Sequence, residues 1–179
     1  MAKTYPTIGP FTAGDILTAA TMTDVQTNLT NQRVPPMCRL SRSTNQTLSN
    51  NTVTVVAYDA VDIDTDATMG TTGAAAKITI NTAGVYQVGY TILWGNTSTV
   101  GYRQAWVAIG GSGRYAGSTV YPANSGSGAW FLTGTDILSL AAADTLDVRC
   151  VQASGGNETI GNFAGTPIAF YAAWLGQES

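Results

Sequence analysis

Asp62, Asp64 and Asp66 stand at alternate positions in the stretch DAVDIDTDATMG. Alternate side chains of an extended segment share a face, so the three carboxylates are expected on one side. A calcium loop of the EF-hand type needs Gly at its sixth position and Glu at its twelfth. Counted from Asp62, those positions hold Ala67 and Gly73, so that motif fails, and only some other calcium geometry stays open. A glycosidase pair needs two carboxyl groups about 5 to 10 Å apart, one of them with its pKa raised by burial. Three aspartates on one polar rim supply no such asymmetry. The simpler expectation is a solvated acidic edge that discourages strand-to-strand association.

The chain contains no histidine. That removes Ser-His-Asp and Cys-His catalysis and nearly every zinc site. GGSGRYAG, at 110–117, loosely matches a dinucleotide fingerprint, but a strand-like run follows it where a helix is required, so it reads as a hairpin turn. No catalytic residue, metal or cofactor is expected, and the chain reads as a non-enzyme. Cys38 falls in phase with Leu40, and Cys150 with Leu146 and Val148. Both read as buried free thiols, with a disulfide between an early and a late strand as the alternative.

Charged residues make up 11% of the chain, against a usual figure of about 25%. Thr, Ser, Asn, Gly and Ala fill the balance, a composition suited to extracellular or particle-borne proteins. The net charge is −3 and the eight Lys and Arg are widely spaced, so counterion-driven nucleic-acid binding is not expected. No apolar run is long enough to span a membrane, and MAKTYPTIGPFTAG lacks the basic-then-apolar layout of a signal peptide. Exposed aromatic residues are the remaining source of binding chemistry. Most are expected in the core or in an interface. Tyr115, Tyr121 and Trp130 flank the Gly/Ser-rich loop PANSGSG and are the candidates for stacking on a glycan.

The elements that position these residues divide the chain at about residue 35. Residues 1–35 read as an extended arm with prolines at 6 and 10, then a weak helix with Thr18 as N-cap. Leu17, Met22, Val25 and Leu29 fall near one stripe, and Pro35 and Pro36 end it. With Tyr5 and Phe11, these are the residues expected to attach the chain to neighbouring proteins. Residues 36–179 read as one all-β domain: nine strand-length runs rich in β-branched and aromatic residues, separated by Gly, Asn, Ser and Asp. That pattern predicts an antiparallel sandwich or barrel. In NTAGVYQVGYTILW, Tyr86, Val88, Tyr90, Ile92 and Trp94 form one bulky face, expected to meet a second sheet. TPIAFYAAWLG is apolar on both faces, which predicts that a second copy of the chain, or the arm, covers what the sandwich does not.

The ordered pieces VVAYDAVDIDTD, ITINTAGVYQVGYTILW, GYRQAWVAIGG, LSLAAADTLDVRCVQASGG and TPIAFYAAWLG, between residues 53 and 176, carry a resemblance. They resemble the trimeric jelly rolls of the C1q and tumour-necrosis-factor type, in the versions found in structural proteins of tailed bacteriophages. The turn usually written Ala-Gly-Asp there is Ala142-Ala143-Asp144 here. FTAGDILTAATMTDVQTNL also resembles a leader of phage tail and fibre proteins. The resemblance implies a C1q/TNF-like antiparallel jelly-roll sandwich that forms a homotrimer, with Phe170 or Tyr171 on the threefold axis. It further implies a virion-surface structural protein at the tail or fibre, contacting host glycan and held to other virion proteins through residues 1–35. A capsid decoration protein that clamps capsid subunits at threefold positions is the alternative, and a free adhesin or lectin a weaker one.

Overall fold

A computed structural model describes residues 3, 6–10, 12, 14–66, 68–95, 100–121, 130–163, 165 and 167–177. In chain order the elements are α1 (Ala19–Arg33), β1 (Met37–Arg42), β2 (Gln46–Leu48), β3 (Thr54–Val55), β4 (Ala60–Asp64), β5 (Gly70–Thr71) and β6 (Lys77–Thr79). There follow β7 (Gly84–Trp94), β8 (Arg103–Ile109), β9 (Ser112–Val120), β10 (Trp130–Leu140), β11 (Thr145–Gln152), β12 (Glu158–Ile160) and β13 (Ile168–Gly176). Each of the nine expected runs contributes a strand. The extra strands, β2, β4, β5 and β12, are two to five residues long.

Two antiparallel sheets result. In sheet I the strand order is β2-β12-β7-β13-β1-β4, with β10 on the other side of β7. β10 follows β7 along its whole length, from Trp130 opposite Trp94 to Leu140 opposite Gly84. In sheet II the order is β5-β6-β11-β8-β9, with β3 added to β11. The bulky stripe of β7 faces sheet II, and none of its five residues is more than 2% exposed. Leu146, Val148 and Cys150 of β11 and Val107 of β8 meet it from the other sheet. Ile168, Phe170 and Ala172 of β13 and Cys38 and Leu40 of β1 extend the same layer. The apolar alternation is therefore the interdigitated core of a sandwich.

Polar groups also cross between the sheets. Tyr90 directs its hydroxyl at the carbonyl oxygens of Ala105, 2.7 Å away, and Ala116, 2.9 Å away. Arg103, first residue of β8 in sheet II, donates from Nη2 to Glu158 Oε1 of β12 in sheet I at 2.6 Å. The two side chains are 2% and 1% exposed. Gln152 donates from Nε2 to the carbonyls of Leu48 and Gly156 and accepts from the Ser154 amide, which ties the end of β2 to the loop between β11 and β12.

Two of the expected turns hold, PANSGSG lies outside the described residues, and SGGNETIGN contains strand β12. Gly110 and Gly111, at φ 56° and 77°, form the two-residue turn between Ile109 and Ser112, as a hairpin whose twist matches its strands requires. At the turn before β11, Ala143 takes φ 74°. Its amide donates to Ile80 O at 2.7 Å, and Ile80 donates back to Asp144 O at 2.8 Å. The Asp144 carboxylate receives the Ala141 amide. This network holds an alanine in backbone space that suits glycine.

Both cysteines are free and buried, Cys38 in sheet I and Cys150 in sheet II. Burial, with a smaller contribution from the Asp64 charge, pushes the Cys38 thiol up to about 12. Burial alone raises the Cys150 thiol. The helix begins as expected: the Thr18 hydroxyl accepts the Thr21 amide at 3.2 Å. It buries none of its residues, because Thr and Asn crowd the face turned toward the rest of the chain.

Two consequences can be measured by denaturant or thermal unfolding. Arg103→Ala leaves the Glu158 carboxylate buried without its cation and is expected to cost about 3–5 kcal/mol. Replacing both partners by apolar residues of similar volume is expected to recover most of that loss. Ala143→Gly relieves left-handed strain of roughly 1–2 kcal/mol, less the extra freedom of glycine in the unfolded chain. A net gain of about 0.5–1 kcal/mol, or about 1–4 °C in Tm, is expected.

Candidate functional site

The outer face of sheet I is built by the residues that the core did not take. β7 presents Gln87, Gly89 and Thr91, β10 presents Phe131, Thr133, Thr135, Ile137 and Ser139, and β13 presents Ala169, Tyr171, Ala173 and Leu175. No charged residue stands among them. Phe131, Ile137 and Leu175 are 56%, 63% and 53% exposed. Tyr171 lies across Gly89: a Cβ at position 89 would stand 2.6 Å from its hydroxyl oxygen. Glycine there lets the ring lie flat on the sheet. Phe170 points the other way, fully buried and stacked on Tyr58 with ring centroids 5.9 Å apart. Strand alternation therefore takes Phe170 out of consideration for an axis and leaves Tyr171 on the open face.

The three aspartates do not form one solvated edge. The ladder between β1 and β4 shifts register between Arg39 and Leu40, and β4 ends at Asp64, so the period of two does not persist to Asp66. Asp62 pairs with Arg39 and accepts from Ser41 Oγ at 2.8 Å. Asp64 accepts the Gly70 amide at 3.1 Å. Asp66 is 1% exposed and accepts from the Thr82 hydroxyl at 2.7 Å and the Lys3 amide at 3.0 Å. Among the described residues, no three His, Cys, Asp or Glu side chains are grouped so as to hold a metal ion. No helix among them is long and apolar enough to cross a membrane.

The amino-terminal segment returns to the sandwich through that Lys3 contact and to the helix through Asn28, whose Nδ2 donates to Pro6 O at 2.9 Å. Tyr5 and Phe11 lie outside the described residues. Leu17, Met22 and Leu29 are each more than half exposed, and Val25 is half-buried. With Ile16, 88% exposed, Leu17, Met22 and Leu29 leave an apolar stripe that is open among the described residues.

Tyr115, Tyr121 and Trp130 are not brought together as one platform. Trp130 opens β10 opposite Trp94 and packs against the core. Tyr115 pairs with Val107, on the core side of β9, and lies against Gly113. Tyr121 is 71% exposed and follows β9 on the outer face of sheet II, beside Tyr102, with ring centroids 6.1 Å apart and planes at 56°. An unbulged two-residue hairpin would set Tyr102 opposite Thr119. Two register shifts, between Ala105 and Val107 and between Val107 and Ile109, place Gln104 opposite Thr119 and carry Tyr121 up to Tyr102. Further along, Arg114 lies 4.4 Å above the Trp106 ring. Sequence reasoning passed over Tyr102, Gln104 and Arg114. Their signal is the spacing of Tyr102, Gln104 and Trp106 at alternate positions of one strand.

No protein-family model and no curated protein matches the chain. Solved structures do. The globular domain of zebrafish complement 1qA protein is 13% identical, with a TM-score of 0.52, over 80% of this chain and 99% of that one. Eiger TNF from S. frugiperda is 13% identical, with a TM-score of 0.60, over 80% and 94%. Murine APRIL is 11% identical, with a TM-score of 0.54, over 76% and 98%. At these identities the likeness is one of fold, and the fold is the C1q/TNF-like jelly roll.

Proposed function

We propose that the protein is a non-enzymatic structural protein that works as a homotrimer, closed through the outer face of sheet I. One observation carries this reading: the outward face of the three adjacent strands β10, β7 and β13 holds no charge and leaves Phe131, Ile137 and Leu175 open to water, while the charges nearest it, Arg39 of β1 opposite Tyr171 and Asp62 of β4, neutralise each other as a pair. Sheet II differs, with Arg114, Arg149 and Asp147 on its outer side. An uncharged face with apolar side chains and a central aromatic residue is what an interface core requires. Tyr171 stands near the middle of that face and is the residue proposed for the axis.

The particle is proposed from the residues that resemble phage structural proteins and from the low charge. On this reading the trimer sits on the surface of a tailed-phage virion, assembled in the host cytoplasm, at the tail or fibre and in contact with host glycan. Residues 1–35 attach it to other virion proteins. The stripe of Ile16, Leu17, Met22 and Leu29 supports the attachment role, since it is open among the described residues. The same stripe also suits a decoration protein that clamps capsid subunits at threefold positions, a reading that differs in location and needs no ligand.

Sedimentation of the full chain is expected to give a species of three times the 18.6 kDa chain mass. Ile137→Asp puts three like charges into the closed face and is expected to yield folded monomers. A native protein that sediments as a monomer overturns the reading. Immunogold labelling of source particles with antibody to residues 37–179 is expected to mark the tail end. Label over the head moves the protein to the capsid, and unlabelled intact particles leave the free adhesin.

A further inference from the structure

We infer that the outer face of the β8–β9 hairpin is a carbohydrate-binding strip, with Tyr102 and Tyr121 as its stacking pair. The inference rests on the reading of the chain as one that meets a host surface; of the residues the sequence singled out it keeps Tyr121 and sets aside Tyr115 and Trp130. Three rungs run along the hairpin. Tyr102 and Tyr121 make the first, with rings tilted at 56° so that they open as a shallow wedge. Gln104 and Thr119 make the second, joined by a 3.1 Å hydrogen bond from Nε2 to Oγ1. Trp106 and Arg114 make the third, the guanidinium lying on the indole and donating from Nη1 to Gln104 Oε1 at 2.9 Å.

Rungs on one face of a strand recur about every 7 Å, so the strip is about 14 Å long, the reach of a short oligosaccharide. Sugar rings present an apolar C–H face and a rim of hydroxyls. The tyrosine pair answers the first, and the amide, hydroxyl and guanidinium of the other two rungs answer the second, Trp106 lying 4% exposed beneath Arg114. Tyrosine joins an apolar body to a polar tip, and one that is 71% exposed beside a second ring is placed to be covered by a ligand. The chain of bonds from Arg114 through Gln104 to Thr119 holds the polar rung in place before a ligand arrives, which lowers the ordering cost of binding.

Other occupants fit less well. Nucleic acid needs clustered cations, and of the two arginines on this face Arg114 is held over Trp106 while Arg149 is paired with Asp147 through Nε at 2.6 Å. A protein partner needs a broader apolar centre than one exposed ring pair.

The test uses the full chain against a printed panel of neutral and acidic oligosaccharides, followed by saturation-transfer NMR and titration with the strongest member. Binding is expected, with saturation reaching tyrosine-contacting sugar protons. Tyr121→Ala is expected to weaken it at least tenfold with an unchanged circular dichroism spectrum, because the side chain is mostly in water. Thr119→Val, which keeps the strand's shape and removes the hydroxyl, is expected to weaken it several-fold. The inference is overturned if no panel member binds, or if Tyr121→Ala binds as the native protein does. Sedimentation of the same samples separates the two readings. A trimer without glycan binding removes only this strip, whereas a glycan-binding monomer removes the trimer and keeps it.

Discussion

Everything in this fold depends on filling the gap between two sheets that stack about 10 Å apart. Strand β7 does the largest share with Tyr86, Tyr90 and Trp94 on one face, all buried. Because its side chains alternate, the same strand puts Val85, Gln87, Gly89, Thr91 and Leu93 on the far side, a lighter set with no aromatic residue. A heavy inner face and a light outer face are one decision. The outer face is flat because the bulk went inward, and Tyr171 can lie on it because position 89 has no side chain.

Apolar filling sets the distance between the sheets but leaves their relative placement loose, since hydrophobic contact is not directional. Directional contacts sit at the two ends of the problem. The Tyr90 hydroxyl reaches the backbone of β8 and β9 from the middle of sheet I. The Arg103–Glu158 pair joins the start of β8 to β12 at one end. In a chain with so few charges, a fully buried ion pair is a costly choice, as its desolvation penalty nearly offsets its attraction. Its value is geometric: a sandwich slid by one residue would bury both charges unpaired. Arg103 is the first residue of β8, and no local pattern marks its partner. Glu158 stands 55 residues away, in a segment whose sequence reads as a turn.

The core was legible because it follows a period of two over long runs, as in β7, β11 and β13. Thr18, the Gly110-Gly111 turn and the buried thiols were legible for a similar reason: each is local chemistry at a marked position. What was not legible depends on register. Asp66 looks like a third member of an acidic row until β4 ends two residues short of it. Tyr115 looks like a neighbour of Tyr121 on the outer side until a one-residue shift pairs it with Val107, though it stays exposed. A single bulge exchanges faces and two restore them, so Tyr121 returns to the outer side opposite a new partner. The left-handed alanine at 116 belongs to this irregular stretch of β9, and alternation alone does not announce it.

The two outer faces then differ for a physical reason. Sheet I shows uncharged residues on β10, β7 and β13, and its nearest charges, Arg39 and Asp62, are already paired with each other. Sheet II shows exposed tyrosine, amide and paired charges, which tolerate water and suit a ligand that arrives wet. Closing three copies through sheet I turns all three β8–β9 hairpins outward, each carrying the same ladder of rungs. A shallow strip of a few rungs binds any one short ligand weakly, because little surface is buried and ordering must still be overcome. Three identical strips on a rigid body change that balance toward a repetitive surface, since the second and third contacts form at high effective concentration. On the proposed reading, trimer closure and a modest exposed strip are parts of one design. The first makes the second useful, and neither requires a catalytic group, a metal or a deep pocket.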